Sequence, residues 1–251
     1  MRILMLGDIV GAPGRRAVAR FLQGRSYDAV IANGENASGG VGITPADARQ
    51  LLDSGITLLT SGNHIWAHRE IIPWLDAGET RLLRPANFPP GNPGSGHAVI
   101  GVCGFRVLVL NLQGRVFMQE IDCPFRMADR IIDNNEADVV IVDFHAEATS
   151  EKEAMGRYLD GRAAVVVGTH THVQTADLRR LPSGTMYLTD VGMCGSTNGV
   201  IGVRFEEVRQ RFLTGRPSRL SVAEGEELVC GLEMDFDGKS LVGGKLVSER
   251  V

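Results

Sequence analysis

The chain has 251 residues, 43% of them hydrophobic and 22% charged, with a formal net charge of −4 at pH 7. That length and apolar fraction suit one sizeable core, so a single domain spanning 1–251 is expected. The mild acidity excludes a broad electrostatic surface for long nucleic acids and favours a small or short substrate.

The opening MRILMLGDIV reads as a first strand, because its apolar stretch is shorter than the roughly 7–15 residues of a signal peptide. No run approaches the roughly 18 apolar residues of a membrane span. Cys103, Cys123, Cys194 and Cys230 are scattered and lack C-x-x-C spacing, which implies reduced thiols and a cytoplasmic protein. Buried strands are expected at ILML (3–6), AVIA (29–32), ITLLT (56–60), DVVIVDF (138–144) and AAVVV (163–167).

Helical patterns alternate with these strands. TPADARQLLDSG offers Thr44 as N-cap, Pro45 at the first helical position, Asp47 at N3 and Gly55 as the stop. SEKEAMGRYLDG suggests a capping box from Ser150 and Glu153, with Ala154, Met155, Tyr158 and Leu159 on one face. Hairpins are expected around Cys103-Gly104 and Asp237-Gly238, which argues against a purely parallel sheet. FPPGNPGSG (88–96) is too short to separate domains.

Each of the five strands runs into polar residues: Asp8; Asn33, Glu35 and Asn36; Asn63 and His64; His145; and His170 with His172. In open α/β sheets the carboxyl ends of strands line the ligand crevice. His170 and His172 lie two apart in a segment read as extended, so both imidazoles face one pocket. Three histidines with Asp8, Glu35 and Asn63 supply nitrogen and oxygen donors typical of a metal site. A mononuclear catalytic site uses about three protein ligands, so six candidates indicate two ions roughly 3.5–4 Å apart, sharing a carboxylate. These donors accept manganese, iron or zinc.

The motifs GDIVG (7–11), NGENASGG (33–40), GNH (62–64), DFHAEATSEK (143–152) and GTHTHVQTAD (168–177) resemble the calcineurin-like metallophosphoesterase superfamily. The similarity is specifically to its YmdB-like branch of 2′,3′-cyclic nucleotide phosphodiesterases, over about residues 2–200. This resemblance implies an α/β fold, a sandwich of two mixed β-sheets flanked by helices. It also implies Glu35 as the bridging carboxylate, Asp8 and His172 on one ion, and Asn63, His145 and His170 on the other. Asn36 joins the metal-site residues, and His64 acts in catalysis. The ions expected are two transition metals, iron or manganese ahead of zinc, and the substrate is a small phosphodiester such as a cyclic nucleotide. The chain departs from the wider superfamily at Val10, where a D-x-H motif has its histidine, and at Glu35, where most members carry Asp.

A two-metal centre acidifies a bound water to a pKa of about 7, and an imidazolium at His64 would protonate the leaving oxygen. His68 faces the same pocket if NHIWAHRE is helical. Asp143 is a possible supporting carboxylate for a ligand histidine, and His97 reads as a rim residue of a hairpin strand. Gly34, Gly39, Gly40 and Gly42 suit either turns or a close backbone approach to the ions. Two rival readings are a nucleotide-phosphate loop in GDIVGAPGRR and a metal-bound regulatory nucleotide- or RNA-binding protein with little turnover. The first lacks G-x-G-x-x-G spacing. The arginines in GRRAVARFLQGR and VRFEEVRQRFLTGRPSRL read as solvated faces, with a homo-oligomer contact or a phosphate-steering patch as sharper alternatives.

Overall fold

The computed structural model describes residues 1–251. Its first half contains β1 (Arg2–Leu6), β2 (Asp8–Ile9), α1 (Gly11–Leu22), β3 (Ala29–Asn33), α2 (Pro45–Asp53), β4 (Leu58–Thr60) and α3 (Ile71–Asp76). β5 (His97–Val102), β6 (Phe105–Gln113), α4 (Pro124–Asp133), β7 (Val139–His145), α5 (Thr149–Tyr158) and β8 (Val165–Thr169) follow. The last part holds β9 (Arg179–Arg180), β10 (Met186–Leu188), β11 (Met193–Ser196), α6 (Phe205–Thr214), β12 (Glu227–Asp237) and β13 (Ser240–Arg250). All five expected strands form, as β1, β3, β4, β7 and β8.

Helix α2 starts where its sequence indicates, with Thr44 extended and its hydroxyl accepting the Asp47 N–H at 3.1 Å. Helix α5 does not. Its N-cap is Ala148, no side chain caps it, and Ser150 lies inside the first turn. Its buried face is Glu151, Lys152, Met155 and Gly156, whereas Ala154 and Tyr158 are exposed. The expected capping box loses because these two charged residues have partners deeper in the molecule. Glu151 accepts the N–H groups of Arg115 and Val116, and Lys152 donates to Asp190. Both hairpins form. Cys103 and Gly104 adopt positive φ (50° and 83°), the geometry that matches strand twist in a two-residue turn. In the second hairpin Asp237 pairs with Ser240, so the turn falls on Gly238 and Lys239.

The strands form two mixed sheets. A seven-stranded sheet has the order β2-β11-β12-β1-β3-β4 with β13 added to β12, and a six-stranded sheet has the order β5-β6-β7-β8-β10-β9. Ala17, Val18 and Phe21 of α1 and Leu51 of α2 cover one outer face, and Ala128 of α4 with Met155 of α5 cover the other. Between the sheets, Ile3, Met5, Ile31, Val107, Val109, Ile141, Val165 and Val167 share one core. This is the helix-flanked two-sheet sandwich that the motif resemblance implies. A rival phosphate loop in GDIVGAPGRR is not built, since the Gly11 N–H at the start of α1 donates to the Asn36 carbonyl.

The inner face of the sandwich changes character along the strands. β7 presents Ile141, then Asp143 and His145; β8 presents Val167, then Thr169; β3 presents Ile31, then Asn33; β4 presents Leu58, then Thr60. The period of two keeps these residues on one face, so apolar core gives way to a buried polar layer at the carboxyl ends. Replacing Ile141 by Ala removes buried hydrocarbon beneath that layer and should destabilise the protein by about 2–5 kcal/mol, read as a shift in denaturant midpoint without a change in slope.

Candidate metal centre

Above the polar layer, Asp8, Glu35, Asn36, Asn63, His145, His170 and His172 come together, as their strand-end positions indicate. Asp8, Glu35 and His145 are fully buried. His145 Nε2 lies 2.8 Å from Glu35 Oε1, 3.1 Å from Asn63 Oδ1 and 3.1 Å from His170 Nδ1. Donors about 2.0–2.2 Å from a shared ion and at right angles sit about 3 Å apart, so this spacing suits coordination. Glu35, His145 and His170 offer ligand atoms all within 4.8 Å of one another. On the other side, His172 Nε2 lies 3.7 Å from Asp8 Oδ1 and 3.2 Å from Asn36 Nδ2.

The decisive feature for a cation is Asp8. One of its oxygens, Oδ2, accepts the His170 N–H at 3.0 Å, but Oδ1 is buried with no hydrogen-bond partner. A lone carboxylate oxygen in that setting costs several kcal/mol unless a charge meets it. Burial pushes the Asp8 carboxyl up from its ordinary value despite His172 and His145. The residues therefore fit bound metal.

Each histidine of the cluster is held by its other ring nitrogen. His145 Nδ1 is 2.9 Å from Thr169 Oγ1, whose hydroxyl donates to Asp143 Oδ1 at 2.7 Å. Thr169 must therefore accept from His145 Nδ1–H, which turns Nε2 towards Glu35 Oε1 and Asn63 Oδ1. His170 Nε2 lies 3.1 Å from Glu147 Oε2, turning Nδ1 inward. His172 Nδ1 donates to the Ile201 carbonyl at 3.1 Å, turning Nε2 inward. Asp143 thus supports His145 through Thr169. It also accepts from Thr60 and from Asn33, whose Oδ1 in turn receives the Glu35 N–H.

His170 and His172 do not sit in an extended segment. Their φ angles are 97° and 65°, in the left-handed region that costs a non-glycine residue of order 1–3 kcal/mol. Both rings reach the centre because the chain turns sharply after β8. The residue between them is pinned from beneath: Asp190 Oδ2 accepts from Thr171 N at 3.1 Å and from Thr171 Oγ1 at 2.6 Å. Lys152, 1% exposed, ties the same oxygen at 2.8 Å. His64 lines the cavity beside the donors and anchors its own N–H on Glu35 Oε2 at 3.1 Å. The segment after it forms turns rather than a helix, so His68 points away and lies 3.0 Å from the Val41 carbonyl, bracing the glycine-rich loop. His97 lies away from the metal donors, along a separate pocket with Arg84 and Arg130.

Sequence reasoning missed Thr169, Glu147, Gly62 and the Lys152–Asp190 pair. Thr169 and Glu147 each stand one or two residues from a histidine of the cluster, which is the available signal. Gly62 admits no side chain, because a Cβ there would lie 2.1 Å from His145 Cδ2 and 2.4 Å from Glu35 Oε2.

A family model described as YmdB-like protein matches residues 4–244. The chain belongs to the YmdB-like protein family. A family relative from Bacillus subtilis (strain 168), named 2′,3′-cyclic-nucleotide 2′-phosphodiesterase, is 46% identical over 247 residues, covering 96% of this chain and 93% of that protein. A crystal structure of a hypothetical protein from Thermus thermophilus superposes with a TM-score of 0.95 at 44% identity, covering 100% of this chain and 99% of that one. The crystal structure of a phosphatase from Mycoplasma pneumoniae gives 0.93 at 30% identity, covering 100% and 93%. Both superpositions span the whole sandwich.

Gly62→Ala should lower metal content sharply while leaving the far-ultraviolet circular dichroism unchanged; an alanine protein that binds metal normally would contradict the clash. Proton competition sets the pH response. In the protein alone, burial opposes the His145 cation, but Glu35, Asp8 and Asp143 override it and push the imidazole up to about 9. His170 is held down to about 3 by burial and by His145, and is neutral at pH 7. Metal must displace the His145 proton, so apparent affinity should rise from pH 6 towards pH 9 and flatten above, with about one proton released on loading at pH 7. Chelator competition across that range measures it.

Proposed function

We propose that this chain, acting as a single domain, hydrolyses 2′,3′-cyclic nucleotides at a dinuclear centre. Glu35, Asp8 and His172 would hold one ion, and Glu35 with Asn63, His145 and His170 would hold the other, with Asn36 alongside. The observation that carries the reading is the buried, unpartnered Asp8 Oδ1 facing His172 across from the Glu35–His145–His170 group. The name of the 46% identical Bacillus subtilis relative supports the substrate class. Iron or manganese suits the N and O donors, with zinc also accommodated. No helix is long and apolar enough to cross a membrane, and all four cysteines are thiols, which suits a reducing cytoplasm.

When bound, the ions supply positive charge to the phosphoryl oxygens and a water acidified to a pKa of about 7. The chain's own groups do the rest. Asp8 and Glu35 hold the centre in place from full burial, and Thr169, Glu147 and the Ile201 carbonyl fix the three imidazoles in metal-facing tautomers. His64 lines the cavity with its main chain clamped to Glu35, so its imidazolium can deliver a proton to the departing O2′. The oxygen of water joins phosphorus, the P–O2′ bond breaks, the proton ends on O2′, and a 3′-phosphomonoester leaves. The intact His64 favours this reading over a regulatory metal protein without turnover.

Glu35→Gln and His64→Ala separate the two roles. Glu35→Gln should lose metal and activity together. His64→Ala should keep about two ions per chain while hydrolysis falls roughly 10²–10⁴-fold. Metal content and rate are measured on the same preparations. Loss of metal in His64→Ala, or near-normal turnover with metal retained, would contradict the proton-donor role.

A further inference from the structure

The metal cavity encloses little of a substrate. Its volume is about 200 Å³, below the roughly 300–1,000 Å³ of pockets that bury a whole small molecule. A cyclic phosphate and part of its ribose would fill that volume, which would leave the remainder of a substrate on the rim. Ile201, Val203, Leu220 and Ser221 form part of that rim, and they are the two roots of one excursion that contains α6. Only Val208 of α6 is buried. The excursion carries Arg204, Arg209, Arg211, Arg216 and Arg219 against Glu206 and Glu207, in a chain of net charge −4.

These arginines differ from those of the amino-terminal segment. Arg15, Arg16, Arg20 and Arg25 of the amino-terminal segment all pair with carboxylates, as do Arg106 and Arg162. Arg204, Arg209, Arg211, Arg216 and Arg219 are all exposed and none is within ion-pair distance of a carboxylate. Large apolar side chains stand among them in water: Phe212 is 80% exposed and Leu213 79%, and Arg209 lies 5.8 Å over the Phe205 ring. Phe205 and Arg204 also face a second cavity of about 360 Å³, which shares Val222 with the metal cavity. Unpaired guanidinium groups interleaved with exposed aromatic rings, on a surface that continues from a phosphodiester site, match the chemistry of single-stranded nucleic acid: phosphates meet the cations and bases stack on the rings.

We propose that the arm of residues 201–222 binds the phosphates and bases immediately upstream of the scissile group, so that the preferred substrate is the 3′ end of a short single-stranded RNA terminating in a 2′,3′-cyclic phosphate. This rests on the phosphodiesterase reading above and names its substrate class. The reaction is unchanged: water adds to the terminal phosphorus, the P–O2′ bond breaks and O2′ takes the proton. The five arginines of this arm engage only a few phosphates, in keeping with the net charge of −4.

The test compares 2′,3′-cyclic AMP with an adenylate octamer ending in a 2′,3′-cyclic phosphate, using the metal-loaded full chain and an Arg209→Ser/Arg211→Ser/Arg216→Ser variant. The octamer should be the better substrate by about tenfold or more in kcat/KM at low salt. The variant should lose most of that advantage through KM, with hydrolysis of cyclic AMP unchanged, and its logarithmic salt slope should fall by about 2 for three lost phosphate contacts. Equal kcat/KM for both substrates in the natural chain, or an octamer advantage that survives in the variant, overturns the proposal. So does a variant that changes sedimentation and slows both substrates equally, since the arm is then a protein contact. Anisotropy of a labelled octamer 3′-phosphate reads the arm independently of turnover. If neither cyclic substrate is hydrolysed, the phosphodiesterase reading fails, and octamer binding lost or retained in the variant still decides for or against the arm.

Discussion

Negative charge buried at the ends of strands is the constraint around which this molecule is organised. Asp8, Glu35 and Asp143 are almost wholly removed from water, with His145 as the imidazole common to all three. A single imidazolium cannot compensate three carboxylates in a low-dielectric setting. The carboxylates divide the burden differently. Burial pushes Asp143 up to about 6, and two threonine hydroxyls and the Asn33 amide donate to its oxygens. Burial also works against the Glu35 anion, yet His145 and His64 hold its carboxyl down to about 2. Asp8 is left with an oxygen that accepts no hydrogen bond. A cation at that point converts a destabilising arrangement into a stabilising one, so metal binding and folding are coupled through the same residues.

The sandwich makes such a layer tolerable. Two sheets facing each other supply apolar residues over most of each strand, and the polar residues begin only in the last two inward positions. Valine and isoleucine side chains below the layer exclude water and keep the local dielectric low, which strengthens every hydrogen bond above. Main-chain groups take part as well. The His170 N–H binds Asp8 and the His64 N–H binds Glu35, so the loops that carry the two imidazoles are fastened to the carboxylates they accompany.

The loop after β8 shows how the framework holds a strained element. His170 and His172, separated by a single residue, occupy left-handed backbone, a conformation that side chains larger than glycine's seldom adopt unsupported. The support is a buried ion pair, Lys152 with Asp190, which fastens Thr171 by both its amide and its hydroxyl. Lys152 comes from α5, and this explains why that helix buries a charged face and gives up the capping box its sequence offers. Local preference yields there to a contact that only the assembled sandwich provides.

Much of the architecture was legible in the sequence because its signals are local. Apolar runs with polar ends mark β1, β3, β4, β7 and β8, Thr44 with Pro45 and Asp47 marks α2, and Cys103-Gly104 marks a hairpin, each within a few residues. Donor types at successive strand ends also identify Asp8, Glu35, Asn36, Asn63, His145, His170 and His172 as one group, since parallel strands bring their carboxyl ends together. Tertiary structure alone decided how those donors are presented. The turn that aims His170 and His172, the Thr169 hydroxyl that sets the His145 tautomer, the diversion of His68 to the Val41 carbonyl and the space that forbids a side chain at Gly62 all arise between segments tens of residues apart or more. Periodicity within a strand records which face a residue takes, but the backbone handedness of a loop and the partner of a ring nitrogen are set by whatever the second sheet packs against them.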